Sequence, residues 1–166
     1  MHLQGEITIP ATEKNLAKRL RILLAPLKKL RIPAMTSIEM ALYEAVENGI
    51  EHGCLEVGFQ LKRMLLEYKY YEKELERRRG KPQYLQKNVV VTYDYTEKTL
   101  QFSVKDDGNG FKWQQRMQDD AEEPTQPLNV SGSGLKIIST IFDSLTFNEK
   151  GNELTMIKYL KLSEEV

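Results

Sequence analysis

The sequence predicts an α/β fold: one mixed, mainly antiparallel sheet covered on one face by helices. Three observations predict it. Between Thr12 and Leu30, and again from Ile38 to Gly49, apolar residues recur at the spacing of an amphipathic helix. From Asn88 to Lys105 the pattern becomes two β-rich runs joined by a polar tip at Glu97-Lys98. After a long polar stretch, one more helical run precedes a closing hairpin. Half-apolar helices and a half-apolar sheet bury themselves by packing on each other.

The 166 residues suit one domain with one core. With 40% hydrophobic and 29% charged residues, the composition is that of a soluble globular chain. Lys plus Arg total 24 and Asp plus Glu total 24, so no net positive charge is available to grip nucleic acid or an anionic membrane. The single cysteine, Cys54, excludes an intramolecular disulfide and a Cys-rich zinc site, and is read as a small buried residue. No run approaches the roughly 18 apolar residues of a membrane helix. Met1 to Pro10 lacks the basic-then-apolar layout of a signal peptide, so a cytoplasmic location is expected.

Taken in order, Leu3 to Ile9 alternates weakly and reads as a short strand. In the first helix Leu16, Leu20, Leu23, Leu24, Leu27 and Leu30 form the apolar stripe, and Pro26 should kink or end it. Thr36 or Ser37 is the expected cap of the next helix. Its buried face is Ile38, Ala41, Leu42, Ala45, Val46 and Gly49. Glu44, Asn48 and His52 fall four residues apart along the edge of that face, where a helix borders a cleft.

One further helix is expected from Gly58 to Arg79, with Leu61, Met64, Leu65, Tyr68, Tyr71 and Leu75 as its stripe and Glu74–Arg78 as an i,i+4 pair. Arg77, Arg78 and Arg79 read as a solvated helix end that suits the dipole, before Gly80 and Pro82. Two strands follow, Asn88 to Tyr95 and Leu100 to Lys105. Phe111 to Ser133 is polar and acidic, carries Pro124 and Pro127, and reads as a long functional loop. Gly134 to Ser144 is helical, and Leu145 to Glu149 pairs with Leu154 to Leu160 around Lys150-Gly151-Asn152.

Three segments carry chemistry. In the first, Glu44 and Asn48 stand one helical turn apart and can act on one ligand. The carboxylate can take a proton from an attacking hydroxyl, and the amide oxygen is a hard, neutral ligand suited to Mg²⁺. The second is Asp106-Asp-Gly108-Asn-Gly110 at a strand end. Asp106 can accept a hydrogen bond from an exocyclic amine such as adenine N6, and the glycines let backbone approach a flat ring. The third is Ser131-Gly132-Ser133-Gly134-Leu135, a turn that opens a helix and offers N–H groups to phosphate. Each alone is common; their order and setting together are specific.

These segments resemble the N, G1 and G2 boxes of the GHKL ATPases, which share the Bergerat ATP-binding fold. That superfamily includes gyrase, heat-shock protein 90, MutL and the sensor histidine kinases. Within it the chain most resembles the anti-sigma-factor serine kinases of the RsbW and SpoIIAB type, over most of its length. The resemblance implies a two-layer α/β sandwich spanning residues 1–166 as one histidine-kinase-like ATPase domain. It implies Glu44 as catalytic base, Asn48 as the Mg²⁺ ligand and Asp106 as the adenine-binding residue. Gly108 and Gly110 would be the G1 glycines. Gly132, Ser133, Gly134 and Leu135 would form the phosphate loop, and Phe111 to Ser131 the ATP lid. Trp113, at the base of that stretch, reads as a lid anchor, with packing over the nucleotide as the alternative.

ATP and Mg²⁺ are the implied cofactors. The implied activity is serine/threonine phosphorylation of a STAS-domain antagonist in a partner-switching pathway, together with binding of a sigma factor or another regulator. Neither a nucleic acid nor a membrane is an expected partner, and a homodimer stays open. Two other readings stay open: a nucleotide-gated sequestering module without transfer, and an ATPase domain served by a separate phospho-acceptor chain. His52 reads as a structural histidine at the end of the N-box helix, since no helical hairpin carries an acceptor histidine. The chain departs from the family pattern in three places. Gly151-Asn152 replaces a Gly-Thr pair, a helical insertion lies near residues 58–80, and the G2 box has only Gly132 and Gly134.

Overall fold

The structure, a computed structural model, describes residues 1–114 and 133–160. The chain runs β1 (Leu3–Pro10), α1 (Leu16–Lys28), α2 (Met35–Asn48), a π-helical turn (Gly49–Cys54), α3 (Phe59–Glu67) and α4 (Tyr71–Arg79). It continues through β2 (Asn88–Tyr95), β3 (Thr99–Asp106), α5 (Ser133–Ile141), β4 (Ser144–Phe147) and β5 (Glu153–Tyr159). The strands form one sheet in the order β1-β2-β3-β5-β4, and every neighbouring pair is antiparallel. This is the α/β sandwich that the patterning predicts.

The register puts one residue set on the helical face. Ile9 pairs with Val89, Val91 with Val104, and Phe102 with both Tyr93 and Met156. All are buried, together with Leu100 and Leu154. A shift of one residue would turn every one of them to the opposite face. Onto this surface pack Leu20, Leu24 and Leu27 of α1, Ile38, Leu42 and Val46 of α2, and Ile138 of α5.

Three local expectations are corrected. Helix α1 passes through Pro26 and ends at Lys28. The proline lies in the last turn, where one missing N–H costs little against the burial of Leu23, Leu24 and Leu27. Asn15 starts this helix, its side-chain oxygen accepting from the Lys18 N–H at 3.1 Å. Helix α2 begins at Met35, before either expected cap residue. Ala34 stands ahead of it in the left-handed conformation, φ 58°, and no side chain caps the helix. A backbone turn, not a hydroxyl, starts it.

Thirdly, the single helix expected from Gly58 to Arg79 is two helices. The chain breaks at Tyr68–Tyr70, where Lys69 has φ 60°. An unbroken helix from Gly58 to Arg79 would extend about 33 Å, and its far half would leave the body of the protein. The break returns the chain, so that Tyr71 and Leu75 are buried while Met64 and Tyr68 of the expected stripe stay exposed. The arginine run divides as well. Arg77 is exposed and pairs with Glu74. Arg78 is not a solvated helix end: it keeps the expected pair with Glu74, and its Nη1 also donates to the carbonyls of Leu55 and Glu56 at 2.7 and 2.8 Å. It ties α4 to the segment that follows the π-helical turn.

Candidate functional site

A cavity of about 380 Å³ opens among α2, the π-helical turn, the segment after β3, the β4–β5 turn and the start of α5. Its size falls within the range of small-molecule and cofactor sites. Val104 and Leu154 of the sheet and Ala45 of α2 provide apolar lining.

Asp106 stands at the end of β3 and lines the cavity. The π-helical turn is packed directly on it. A Cβ on Gly53 would lie 2.3 Å from the Asp106 carboxyl carbon, and one on Gly108 would lie 2.5 Å from the Gly53 carbonyl. A larger residue at Gly53 would displace the Asp106 carboxylate, and one at Gly108 would have to move the Gly53 backbone. The Gly108 N–H donates to Asp106 Oδ1 at 2.8 Å. Burial pushes the Asp106 carboxyl up to about 6, and the neighbouring Asp107 charge adds to the rise. The Gly108 N–H, Lys150 and Lys87 pull the other way. Asp107 serves the scaffold instead. Its carboxylate accepts the Asn88 N–H at 2.8 Å and ties the loop to the start of β2.

Two loops interlock at the next corner. Gly110 (φ 76°) and Gly151 (φ 77°) both occupy the left-handed region. A Cβ on the first would strike the Lys150 carbonyl at 1.8 Å, and one on the second the Phe111 carbonyl at 2.2 Å. Asn152 is buried, and both ends of its amide are hydrogen-bonded. Its Nδ2 donates to the Asp106 carbonyl, and its Oδ1 accepts from Asn148 Nδ2, both at 2.8 Å. Asn148 Oδ1 in turn receives the N–H groups of Gly151 and Asn152. Asn152 therefore braces the backbone that carries Asp106.

At the other end, α5 meets α2. A Cβ on Gly134 would lie 3.1 Å from Asn48 Nδ2 and 3.2 Å from Glu44 Oε2. The carboxylate and the amide thus converge at the first turn of α5, with Asn48 and Leu135 lining the cavity and Glu44 just beside it. Ser133 opens the helix. Gly132 and the expected lid beyond Gln114 lie outside the described residues.

A match to the model of the histidine kinase-like ATPase domain covers residues 9–158. The chain belongs to that family. Membership implies ATP binding, and the match spans the cavity and the described parts of all three boxes. A search of curated proteins finds no match. Among the described residues of this ATPase domain, no helix is long and apolar enough to cross a membrane.

The three boxes leave out the aromatic residues of this ATPase domain. His52 Nδ1 donates to the Val57 carbonyl, and its ring lies 4.0 Å from that of Phe59. Phe59 meets Phe111 edge-on at 6.1 Å, Phe111 meets Phe147 at 5.3 Å, and Trp113 stacks on Phe147 at 5.6 Å. His52, Phe59, Phe111 and Phe147 all line the cavity. Trp113 thus packs at the rim of the cavity through Phe147, and the lid expected beyond it lies outside the described residues. Cys54 is buried, its thiol pushed up to about 12 by burial, and it is unsuited to nucleophilic work.

Proposed function

We propose that this ATPase domain is a serine/threonine protein kinase of the anti-sigma-factor type, acting in a partner-switching pathway in the cytoplasm. Its substrate is a serine or threonine hydroxyl on a STAS-domain antagonist, and it also holds a sigma factor or similar regulator. The observation that carries the reading is the convergence of Glu44 and Asn48 on the first turn of α5. A carboxylate in that place can take the proton of the attacking hydroxyl while the helix N-terminus receives phosphate oxygens. The amide oxygen of Asn48, hard and neutral, would be the ligand of Mg²⁺. Bound with the nucleotide, Mg²⁺ supplies charge neutralisation on the phosphates.

In this reading Asp106 receives the exocyclic amine of adenine, Gly108 and Gly110 let the ring approach, and Gly132 to Leu135 cradle phosphate. The test is capture of partners from the native cell with and without ATP, followed by phosphosite mapping. The reading expects ATP-dependent retention of a STAS-domain protein phosphorylated on serine or threonine. ATP-dependent capture of a verified partner that never gains phosphate would assign a sequestering module instead. Phosphate on a histidine of the captured chain would assign a sensor-kinase-like domain.

Asp106 yields a prediction with a pH signature. Asp106→Asn should weaken ATP binding by roughly ten- to a hundredfold at pH 8, the worth of a charge-assisted hydrogen bond. With burial raising it to about 6, the carboxyl is ionised at pH 8 and partly protonated at pH 5.5. A protonated carboxyl accepts the amine less well, so wild-type affinity should fall as pH drops through 6. The variant lacks this component. Calorimetry with adenosine, whose base stays neutral over this range, isolates the effect. An equal pH slope in both proteins would remove Asp106 from base recognition.

A further inference from the structure

We infer that the inserted helical pair is part of the nucleotide site, and that Phe59, its first helical residue, stacks on the adenine and enforces selection of a 6-aminopurine. This rests on the nucleotide reading above and assigns a residue outside the three boxes.

Phe59 opens α3, is half-buried, and lines the cavity beside His52. His52 adjoins Gly53, and Gly53 is packed against the Asp106 carboxyl. The aromatic pair and the carboxylate therefore occupy the same end of the cavity. A ligand suited to that end needs a flat, polarisable face for Phe59 and an edge donor for Asp106. A purine bearing an exocyclic amine has both. A pyrimidine has the amine on a smaller ring and less face to stack.

The insertion is also fixed where Phe59 needs it. Helix α3 buries none of its residues fully, and Leu61 and Leu65 pack part-buried against the core. Two polar ties add to that packing. Lys62, one turn after Phe59, pairs with buried Glu51 of the π-helical turn at 2.5 Å. Arg78 of α4 binds the carbonyls of Leu55 and Glu56. One tie ends on the turn that carries His52 and Gly53, the other on the two residues that follow it. The pair packs on the core through Leu61, Leu65, Tyr71 and Leu75, and its polar ties hold it to the cavity wall with Phe59 facing the cavity.

The test compares ATP and ADP binding by calorimetry in wild type, Phe59→Ala and Phe59→Tyr. Stacking of one base is worth about 5- to 100-fold in affinity. Phe59→Ala should weaken ATP and ADP by the same factor in that range, because the contact is to the base and not to the phosphates. Phe59→Tyr keeps the ring and should stay within about twofold of wild type. The preference for ATP over CTP should also fall in Phe59→Ala. Unchanged ATP affinity in Phe59→Ala overturns the inference and leaves the nucleotide reading standing. So does a loss confined to ATP, which would place the effect at the phosphates, or a loss that tyrosine does not restore. Wild type that binds neither nucleotide overturns both readings together.

Discussion

Glu44→Gln should lower phosphate transfer to the partner by roughly 10²–10⁴-fold, the usual worth of a positioned base. ATP affinity should change little, because Asp106 lies at the other end of the site, Asn48 and the α5 N–H groups are unaltered, and Glu44 stands just outside the cavity lining. The helix should persist, since glutamate and glutamine have similar shape and helix propensity. The amide keeps an oxygen near Gly134 but cannot accept a proton at working pH. Partner capture should survive, and the substrate hydroxyl would be lost as a nucleophile, not as a ligand. Radiolabelled ATP with the cognate antagonist, wild type beside variant, reads the difference. Transfer that survives Glu44→Gln within about threefold would show that the proton leaves by another route.

Much of this arrangement can be read before the fold is seen. Strand β2 covers the span expected from its β-branched run, Asn88 to Tyr95. Period-two alternation under a buried face leaves little freedom in where such a strand begins or ends. Asn48, Asp106 and Leu135 lie far apart in sequence, yet the fold brings them around one cavity. Local chemistry identifies each residue type; only the sheet order makes them neighbours.

The features that stay hidden in the sequence have a common cause. The start of α2 depends on the left-handed turn at Ala34, and the break after α3 on that at Lys69. Neither residue type favours φ above zero, so tertiary packing imposes these conformations and composition does not announce them. The π-helical turn is hidden for a similar reason. Its residues continue the helical periodicity, and only the Leu55 N–H bonding back to the Ile50 carbonyl reveals the wider turn. That turn seats Gly49 and Gly53 against β2 and β3. Arg78 and Phe59 escape notice differently: each sits where a solvated helix end or a helix start is an adequate local reading, and their partners belong to another element.

Lys62→Met should destabilise the protein by about 3–5 kcal/mol at pH 8, the cost of leaving a buried charge without its partner. Lys62 is the cation that α3 delivers to Glu51, a buried carboxylate at the π-helical turn, and its ammonium also lies 5.0 Å over the Tyr71 ring. Glu47 is close by: burial pushes it up to about 7, Glu51 raises it further, and Lys62 opposes the rise. A carboxyl raised in the folded state is harder to ionise there than in the unfolded chain. Its cost is therefore absent well below the ordinary carboxylate range, grows as pH rises, and is complete above 7. Without Lys62 that cost is larger for Glu47. The loss in Lys62→Met should thus be several-fold smaller at pH 5 than at pH 8 in urea unfolding. Glu51→Gln added to Lys62→Met should restore most of the stability, because it removes the orphaned charge while keeping the volume. A loss equal at both pH values, or one the second substitution does not relieve, would mean that Lys62 acts through the packing of its stem. The electrostatic tie between the insertion and the N-box helix would then be ruled out.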